Sequence, residues 1–295
     1  MPEPALRLLS LGAGVQSTTL LLLSALGELP PLDAAVFADT GWEPAAVYAH
    51  LDAVEEEVAV PAGIPVLRVS AGNIRADALD PARRFASMPL HILNRDGTKG
   101  LTRRQCTSEY KIRPIKKQVR ALLGYPHPVR VPRSVFAEQW IGISTDEFTR
   151  AKDADVQYMR NRFPLIELGL SREDCVELLT RHGWASTPKS ACLGCPFHGN
   201  AQWRAIRDES PAEWEDVVSF DAAIRAGSAR ATATGTPLLG TAYLHRSRVP
   251  LDLAPIGPPG PGPDIEEAEP EGCSPWSCRD GAEAAPEQGD FGLAV

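Results

Sequence analysis

The sequence predicts an α/β fold, a parallel sheet with helices on both faces, followed by a cysteine-containing C-terminal extension. Two observations carry that expectation. Short apolar runs alternate with longer helix-length segments through the first 71 residues, and the connections between them are brief. A third is the glycine-rich stretch Gly12-Ala13-Gly14, which sits where the first run gives way to the second.

LRLLSL (6–11) has the length of a strand, and STTLLLLSALGEL (17–29) is long enough for a helix. LDAAVFAD (32–39) is strand-like again. EPAAVYAHLDAVEEEV (43–58) places Val47, Leu51 and Val54 at helical spacing, and IPVLRVSA (64–71) returns to strand. Residues 72–105 are irregular, polar and basic, and are expected to form a loop over the sheet. TSEYKIRPIKKQVRALLG (107–124) is expected to be helical after its proline, and FAEQWIGIS (136–144) to be a buried strand. FPLIELGLSREDCVELLTRHGW (163–184) reads as helical, with Ser171 as N-cap and Asp174 three residues on. Cys175, inside that helix, reads as a small buried hydrophobe.

The expected organisation is an α/β domain over 1–190, a helical region carrying a CxxC over 191–254, and a Pro/Gly/acid-rich tail over 255–295. That tail begins PIGPPGPGPDIEEAEPEG, a composition expected of a mobile linker, and continues into CSPWSC (273–278). No internal repeat is evident.

The net charge of −8 is unevenly spread. Residues 255–295 hold nine acids and one base, which leaves the body with 29 of each. Within that neutral body, RRQCTSEYKIRPIKKQVR (103–120) holds seven bases and one acid. It is either a solvated helix face or an anion-binding wall for a nucleotide or a nucleic-acid backbone. No apolar run approaches the roughly 20 residues of a membrane span, and MPEPALRLLSLGAG lacks the pattern of a signal peptide. The expectation is a cytoplasmic, soluble chain with no membrane partner. In a reducing compartment the six cysteines point to metal or redox chemistry rather than disulfides.

A strand ending at Leu11, then Gly12-Ala13-Gly14-Val15-Gln16-Ser17, then a helix, aims backbone N–H groups at one point. Glycines let an anion approach, the helix start adds partial positive charge, and Ser17 and Thr18 add hydroxyls. The stretch is not a Walker loop, because no Lys follows the last glycine, and it lacks the third glycine of a dinucleotide fingerprint. FADTGWEP (37–44) then sets Asp39, Thr40 and Gly41 just past the next strand, the edge at which open parallel sheets bind ligands.

SLGAGVQSTTL followed by FADTGWEPAAVYAHLD resembles the phosphoadenosine phosphosulfate (PAPS) reductase family, within the adenine nucleotide α-hydrolase (PP-loop) superfamily. CTSEYKIRPI (106–115), WIGISTDEFTRAK (140–152) and FPLIELGLSREDCVELLTRHG (163–183) match in the same order, so the resemblance covers roughly residues 5–200. It implies a Rossmann-like (HUP/PP-loop) sheet that binds an adenine nucleotide, either ATP or PAPS/APS, with Mg²⁺ as a candidate companion. By this resemblance Ser10, Gly12, Gly14, Gln16, Ser17 and Thr18 hold phosphate, and Asp39, Thr40 and Gly41 flank the nucleotide. Lys111, Arg113, Gly142, Ser144 and Arg150 are further candidate nucleotide contacts, and Asp39 is a candidate catalytic group.

The chain also departs from these families. The Asp of the Ser-Gly-Gly-x-Asp-Ser loop of ATP-splitting relatives is missing. So is the Glu-Cys-Gly-Leu-His segment that ends sulfonucleotide reductases.

ACLGCPFH (191–198) is a CxxC followed by proline, a turn that brings two thiolates to one metal. Cys106 stands 86 positions before Cys192. Adenylylsulfate reductases, which the chain resembles, carry a cysteine pair and a CxxC at about that separation and bind a [4Fe–4S] cluster. The resemblance therefore makes Cys106, Cys192 and Cys195 cluster ligands. The fourth is either a tail cysteine, Cys273 or Cys278, with Cys273 favoured, or an open position that binds sulfide. A zinc site of Cys106, Cys192, Cys195 and His198 is the alternative. His198 otherwise reads as structural, and so does His245, beside Arg246 and Arg248. Trp203, Trp214 and Phe220 are expected to cover the metal site with an apolar shell.

Three functions follow. The first is ATP-dependent sulfur transfer, drawing on a persulfide or sulfide donor, to a nucleic-acid acceptor. The second is sulfonucleotide reduction with Cys278 or Cys273 as nucleophile and thioredoxin as partner. The third is a nucleotide-sensing protein with a structural metal. A homodimer is the expected assembly if the chain self-associates.

Overall fold

The computed structural model describes residues 3–257; the expectations placed on Cys273, Cys278 and the acidic tail fall outside the described residues. β1 (Leu6–Ser10) runs through the glycine bend into α1 (Val15–Ala25). β2 (Ala34–Asp39) leads to α2 (Ala45–Val54), extended by a π-helical turn over Glu55–Ala59, and β3 (Val66–Ser70) leads to the short α3 (Ile74–Leu79). β4 (His91–Leu93) and β5 (Lys99–Leu101) form a hairpin. A π-helical turn over Thr107–Ile112 continues into α4 (Arg113–Leu122), and β6 (Ala137–Trp140) and β7 (Met159–Arg162) follow. The remainder is α5 (Pro164–Glu167), α6 (Arg172–Arg181), α7 (Asn200–Glu209), α8 (Pro211–Ala223), α9 (Ala229–Ala233) and β8 (Thr241–Tyr243).

Five strands form a parallel sheet in the order β3-β2-β1-β6-β7. The chain moves outward from β1 in one direction and returns to its other side with β6. The switch point, where open α/β sheets take ligands, therefore lies between the carboxyl ends of β1 and β6. Alternation along β1 explains the two covered faces. Leu9 joins Trp140, Leu21, Leu51 and Leu179 under α1, α2 and α6, while Leu8 joins Val36, Ile141, Ile115 and Val119 under α4. Each such leucine, fully removed from water, contributes roughly 1.5–3 kcal/mol, so this sheet is a rigid platform for its loops.

Three local expectations change. Residues 72–105 are not simply a loop, since they contain α3 and the β4–β5 hairpin. Winding around Pro114 begins before the proline, because Pro lies in the first turn of α4, where its missing N–H costs nothing. Before the helix capped by Ser171, the stretch from residue 163 adds a short helix of its own, α5, and the two are separated where Gly169 takes φ +72. The cap of α6 is as expected: Ser171 Oγ accepts from the Asp174 N–H at 3.1 Å, and the Asp174 carboxylate accepts from the Ser171 N–H at 2.8 Å.

β8 pairs antiparallel with β4 and completes a three-stranded sheet, β5-β4-β8. Ile92 and Ala242 on its inner face pack with Trp203, Val217, Phe220 and Met88 in a second core. Residues from 74–110 and from 193–256 share that core, so the CxxC region and the early insertion form one packed unit. Cys175 is buried, and burial pushes its thiol up to about 11, as befits an inert core group. No helix among the described residues is long and apolar enough to cross a membrane.

Candidate functional site

The bend after β1 lies at the switch point. Ala13 takes φ +55 and Gly14 caps α1 in an extended conformation. Ser17 does not project a hydroxyl from the bend. Its Oγ accepts from the Gly12 and Gly14 N–H groups at 3.1 and 3.3 Å, drawing the loop tight. Thr18 turns the other way, its hydroxyl 3.1 Å from His50 Nε2 beneath α2. The first-turn N–H groups of α1, residues 15–17, have no carbonyl partner within the helix, and the positive end of the helix dipole lies there. Gly142, just past β6, packs against that turn: a Cβ there would stand 2.9 Å from Ser17 N.

Ser10 and Ser144 flank the same edge. Both hydroxyl oxygens are buried and have no hydrogen-bond partner among the described residues. Gln16 and Arg150 meet on one carboxylate: Gln16 Nε2 donates to Glu147 Oε2 at 3.1 Å, and Arg150 forms an ion pair with Glu147 Oε1. Arg113 points elsewhere, exposed and paired with Glu109 one turn away.

At the end of β2 Asp39 organises the loop. Its Oδ1 accepts from the Gly41 N–H and the Tyr48 O–H, both at 2.7 Å. Burial and the neighbouring Asp39 push Tyr48 well above the usual phenol range, so it remains a donor. Gly41 takes φ +71, and an added Cβ would meet Asn73 at 2.9 Å. Asn73 in turn donates to the Gly41 carbonyl at 2.6 Å.

Cys106, Cys192 and Cys195 converge. They line one small cavity of about 20 Å³ together with Thr40, Lys111, Arg104 and the apolar Ile74, Met88, Pro89 and Pro196. Cys106 caps the turn that carries Lys111, and Cys192 follows the coil after α6. Lys111 thus faces the cysteines and not the bend, with its ammonium 3.4 Å from Glu43 Oε1. Glu43 Oε1 also accepts from Thr40 Oγ1 at 3.0 Å and from the Cys192 thiol at 3.5 Å, while its Oε2 is buried with no hydrogen-bond partner among the described residues. Among the described residues no three His, Cys, Asp or Glu side chains form a group able to hold one metal ion.

The CxxC turn is held from outside. The Leu193 N–H donates to the Trp42 carbonyl at 2.8 Å, and Gly194 presses on the Trp42 ring. His198 is buried with its Nε2 3.0 and 3.2 Å from the Cys192 and Leu193 carbonyl oxygens, so that nitrogen serves the turn and not a zinc ion. His245 is buried between Ser247 and Asn200, and burial lowers it to about 4, which makes it structural. Trp203 and Phe220 are buried in the second core and Trp214 packs against it.

The bend and the cavity share one strap. Ser190, two residues before Cys192, donates to the Gly12 carbonyl, and a Cβ on Gly14 would stand 2.9 Å from Ser190 Cβ. Gly14 is thus a glycine because another segment crosses it.

Glu43, Glu147, Ser190, Trp42 and Tyr48 escaped the sequence reading. Glu43 stands directly after Asp39-Thr40-Gly41-Trp42, and Glu147 between Ser144 and Arg150. An acid inside each quoted stretch was the available signal. Ser190 offered none, because its role depends on a contact 178 residues away. No model of a known protein family matches this chain, and no curated protein matches it.

Proposed function

We propose that this chain is an iron–sulfur enzyme of PP-loop type that binds an adenine nucleotide at the bend and carries out ATP-dependent sulfur transfer to a nucleic-acid acceptor. One observation carries the reading. Cys106 and the Cys192/Cys195 pair, from two segments far apart in the chain, line one cavity, and the strap that carries the pair also closes over the glycine bend.

The donor set suits a cluster: three thiols, apolar walls, and cationic Lys111 to favour thiolates. A single zinc ion would need its sulfur ligands all at about 2.3 Å from one point. When bound, such a cluster would supply a thiolate-ligated iron site able to hold sulfide.

The chain's own residues do the remaining work. The amides opening α1 take the phosphates. The unpartnered Ser10 and Ser144 hydroxyls are ready donors beside them, since leaving a buried hydroxyl unpaired costs about 1–3 kcal/mol. Gly142 lets the end of β6 pack closely against the first turn of α1. Attack of an acceptor oxygen on the ATP α-phosphorus releases pyrophosphate, and sulfide then displaces AMP; a persulfide donor would leave an acceptor disulfide, which a second thiol must cleave, ending as a disulfide itself. Ile74, Met88, Pro89 and Pro196 keep water from the reactive sulfur.

The test is anaerobic purification followed by visible spectroscopy and iron analysis, with Cys106→Ala, Cys192→Ala and Cys195→Ala in parallel. A straw-coloured chromophore lost in all three is expected, and a colourless zinc protein sinks the cluster. Reconstituted protein that releases neither pyrophosphate nor AMP from ATP, with any nucleic acid supplied, sinks the transfer reaction.

A further inference from the structure

The small sheet β5-β4-β8 presents an outward face beside the cysteine cavity. Ile92 and Ala242 point into the second core, so by register the outer row is Lys99, Leu93 and Thr241, followed by Leu101, His91 and Tyr243. Lys99 and Leu101 are exposed on the edge strand, and Arg95 and Arg103 flank them, also exposed. Residues 81–106 hold six bases and a single acid, Asp96, whose carboxylate is taken up by the Thr98 hydroxyl and amide of its own turn. The charge is therefore local, although the folded body as a whole is neutral.

Aromatic rings interleave these cations. The Arg225 guanidinium lies over the partly exposed Tyr243 ring at 4.1 Å, and Arg104 lies over Phe197 at 5.0 Å. The face runs directly into the cavity. His91 Nε2 is 3.1 Å from the Pro196 carbonyl oxygen, and Pro196 and Arg104 both line the cavity.

We propose that this face is the acceptor-docking surface, and that its partner is a single-stranded nucleic acid. The strand lays phosphates along Lys99, Arg103 and Arg95 and stacks bases beside Tyr243 and Phe197, which leads it to the cysteine cavity. Cationic rows with interleaved aromatics bind single strands because every base has a π-face and every phosphate a charge. The inference rests on the proposed sulfur-transfer reading and deepens it, drawing its surface from segments about 150 residues apart.

The test is fluorescence anisotropy of the full chain with a labelled single-stranded oligonucleotide across a salt series. Lys99→Ala/Arg103→Ala is compared with Arg130→Ala/Arg133→Ala, two exposed arginines in the segment that enters β6 of the other sheet. The first pair should weaken binding about tenfold and flatten the salt slope by about 1.4, at about 0.7 per lost phosphate contact. Its thermal midpoint and chromophore should be unchanged, and the second pair should bind like the wild type. Wild-type affinity and slope in Lys99→Ala/Arg103→Ala overturns the surface. So does equal binding of duplex, or polyglutamate competing as well as unlabelled single strand. None of these outcomes touches the chromophore or pyrophosphate tests, so the two proposals fail separately.

Discussion

Gly194→Ala is the most exacting test of how the CxxC turn is held. An ideal Cβ at this position would stand 2.1 Å from Trp42 Cη2 and 2.3 Å from Cζ3, far inside van der Waals contact. The indole has little room to withdraw. Its N–H donates to Asp216 Oδ2 at 2.8 Å, and its ring sits 4.6 Å from Phe220 on the other side. Asp216 is itself held by Arg75 at 2.8 Å. Overpacking costs about 1–3 kcal/mol, and losing the indole hydrogen bond adds about 0.5–1.5 kcal/mol. The expected total is about 2–4 kcal/mol, which for a domain of this size lowers the midpoint by about 5–15 °C. Urea and thermal unfolding followed by tryptophan fluorescence measure it, and iron content should fall in parallel as Cys192 and Cys195 shift. Trp42→Leu relieves the clash, so the double variant should be at least about 1 kcal/mol better than additive. A Gly194→Ala protein within about 0.5 kcal/mol of wild type, with additive double-variant behaviour, would refute the packing argument.

Two further expectations follow from buried charge. Glu43 and Lys111 side chains are 2% and 6% exposed, so Glu43→Ala removes a buried carboxylate that pairs with Lys111 and should destabilise the fold by about 1–3 kcal/mol. Glu43→Ala/Lys111→Met should recover most of that loss in the same urea titrations, and no recovery would show that the pair is not coupled. His50 and His245 are both lowered to about 4 by burial, so each stays neutral in the fold but takes a proton when unfolded. Their contribution is whole above the unfolded value near 6.5 and is lost as pH falls through 4. By pH 5 each should remove about 2 kcal/mol of stability. Unfolding free energies that stay flat between pH 7 and pH 5 would contradict this.

Much of the platform was legible because its physics is local. β1, β2, β3 and β6 are short apolar runs, and the helices between them show their faces in spacing or length alone. β7 was not legible: Met-Arg-Asn-Arg is an edge strand, mostly polar, and pairs on one side. The β4–β5 hairpin was equally hidden, since three-residue strands become a sheet here through β8, far along the chain. The site divides in the same way. Gly12, Gly14 and Gly142 could be found because a turn or a close approach demands them. Ser17 and Thr18 stand at the bend, but their hydroxyl partners could not be read from the sequence. A hydroxyl takes the nearest acceptor or donor, and here those were the loop's own amides and His50. Lys111 likewise looked like a phosphate contact until its turn was seen to face Glu43 and the cysteines.

The late arrival of β8 has a consequence for biosynthesis. A ribosome adding about 5–20 residues per second needs roughly 7–30 s to travel from β4 to the strand that completes its sheet. β1 to β3 can associate during that interval, whereas the second core, which lines the thiol-bearing cavity, cannot yet close. Cys106 thus emerges into solvent well before its companions.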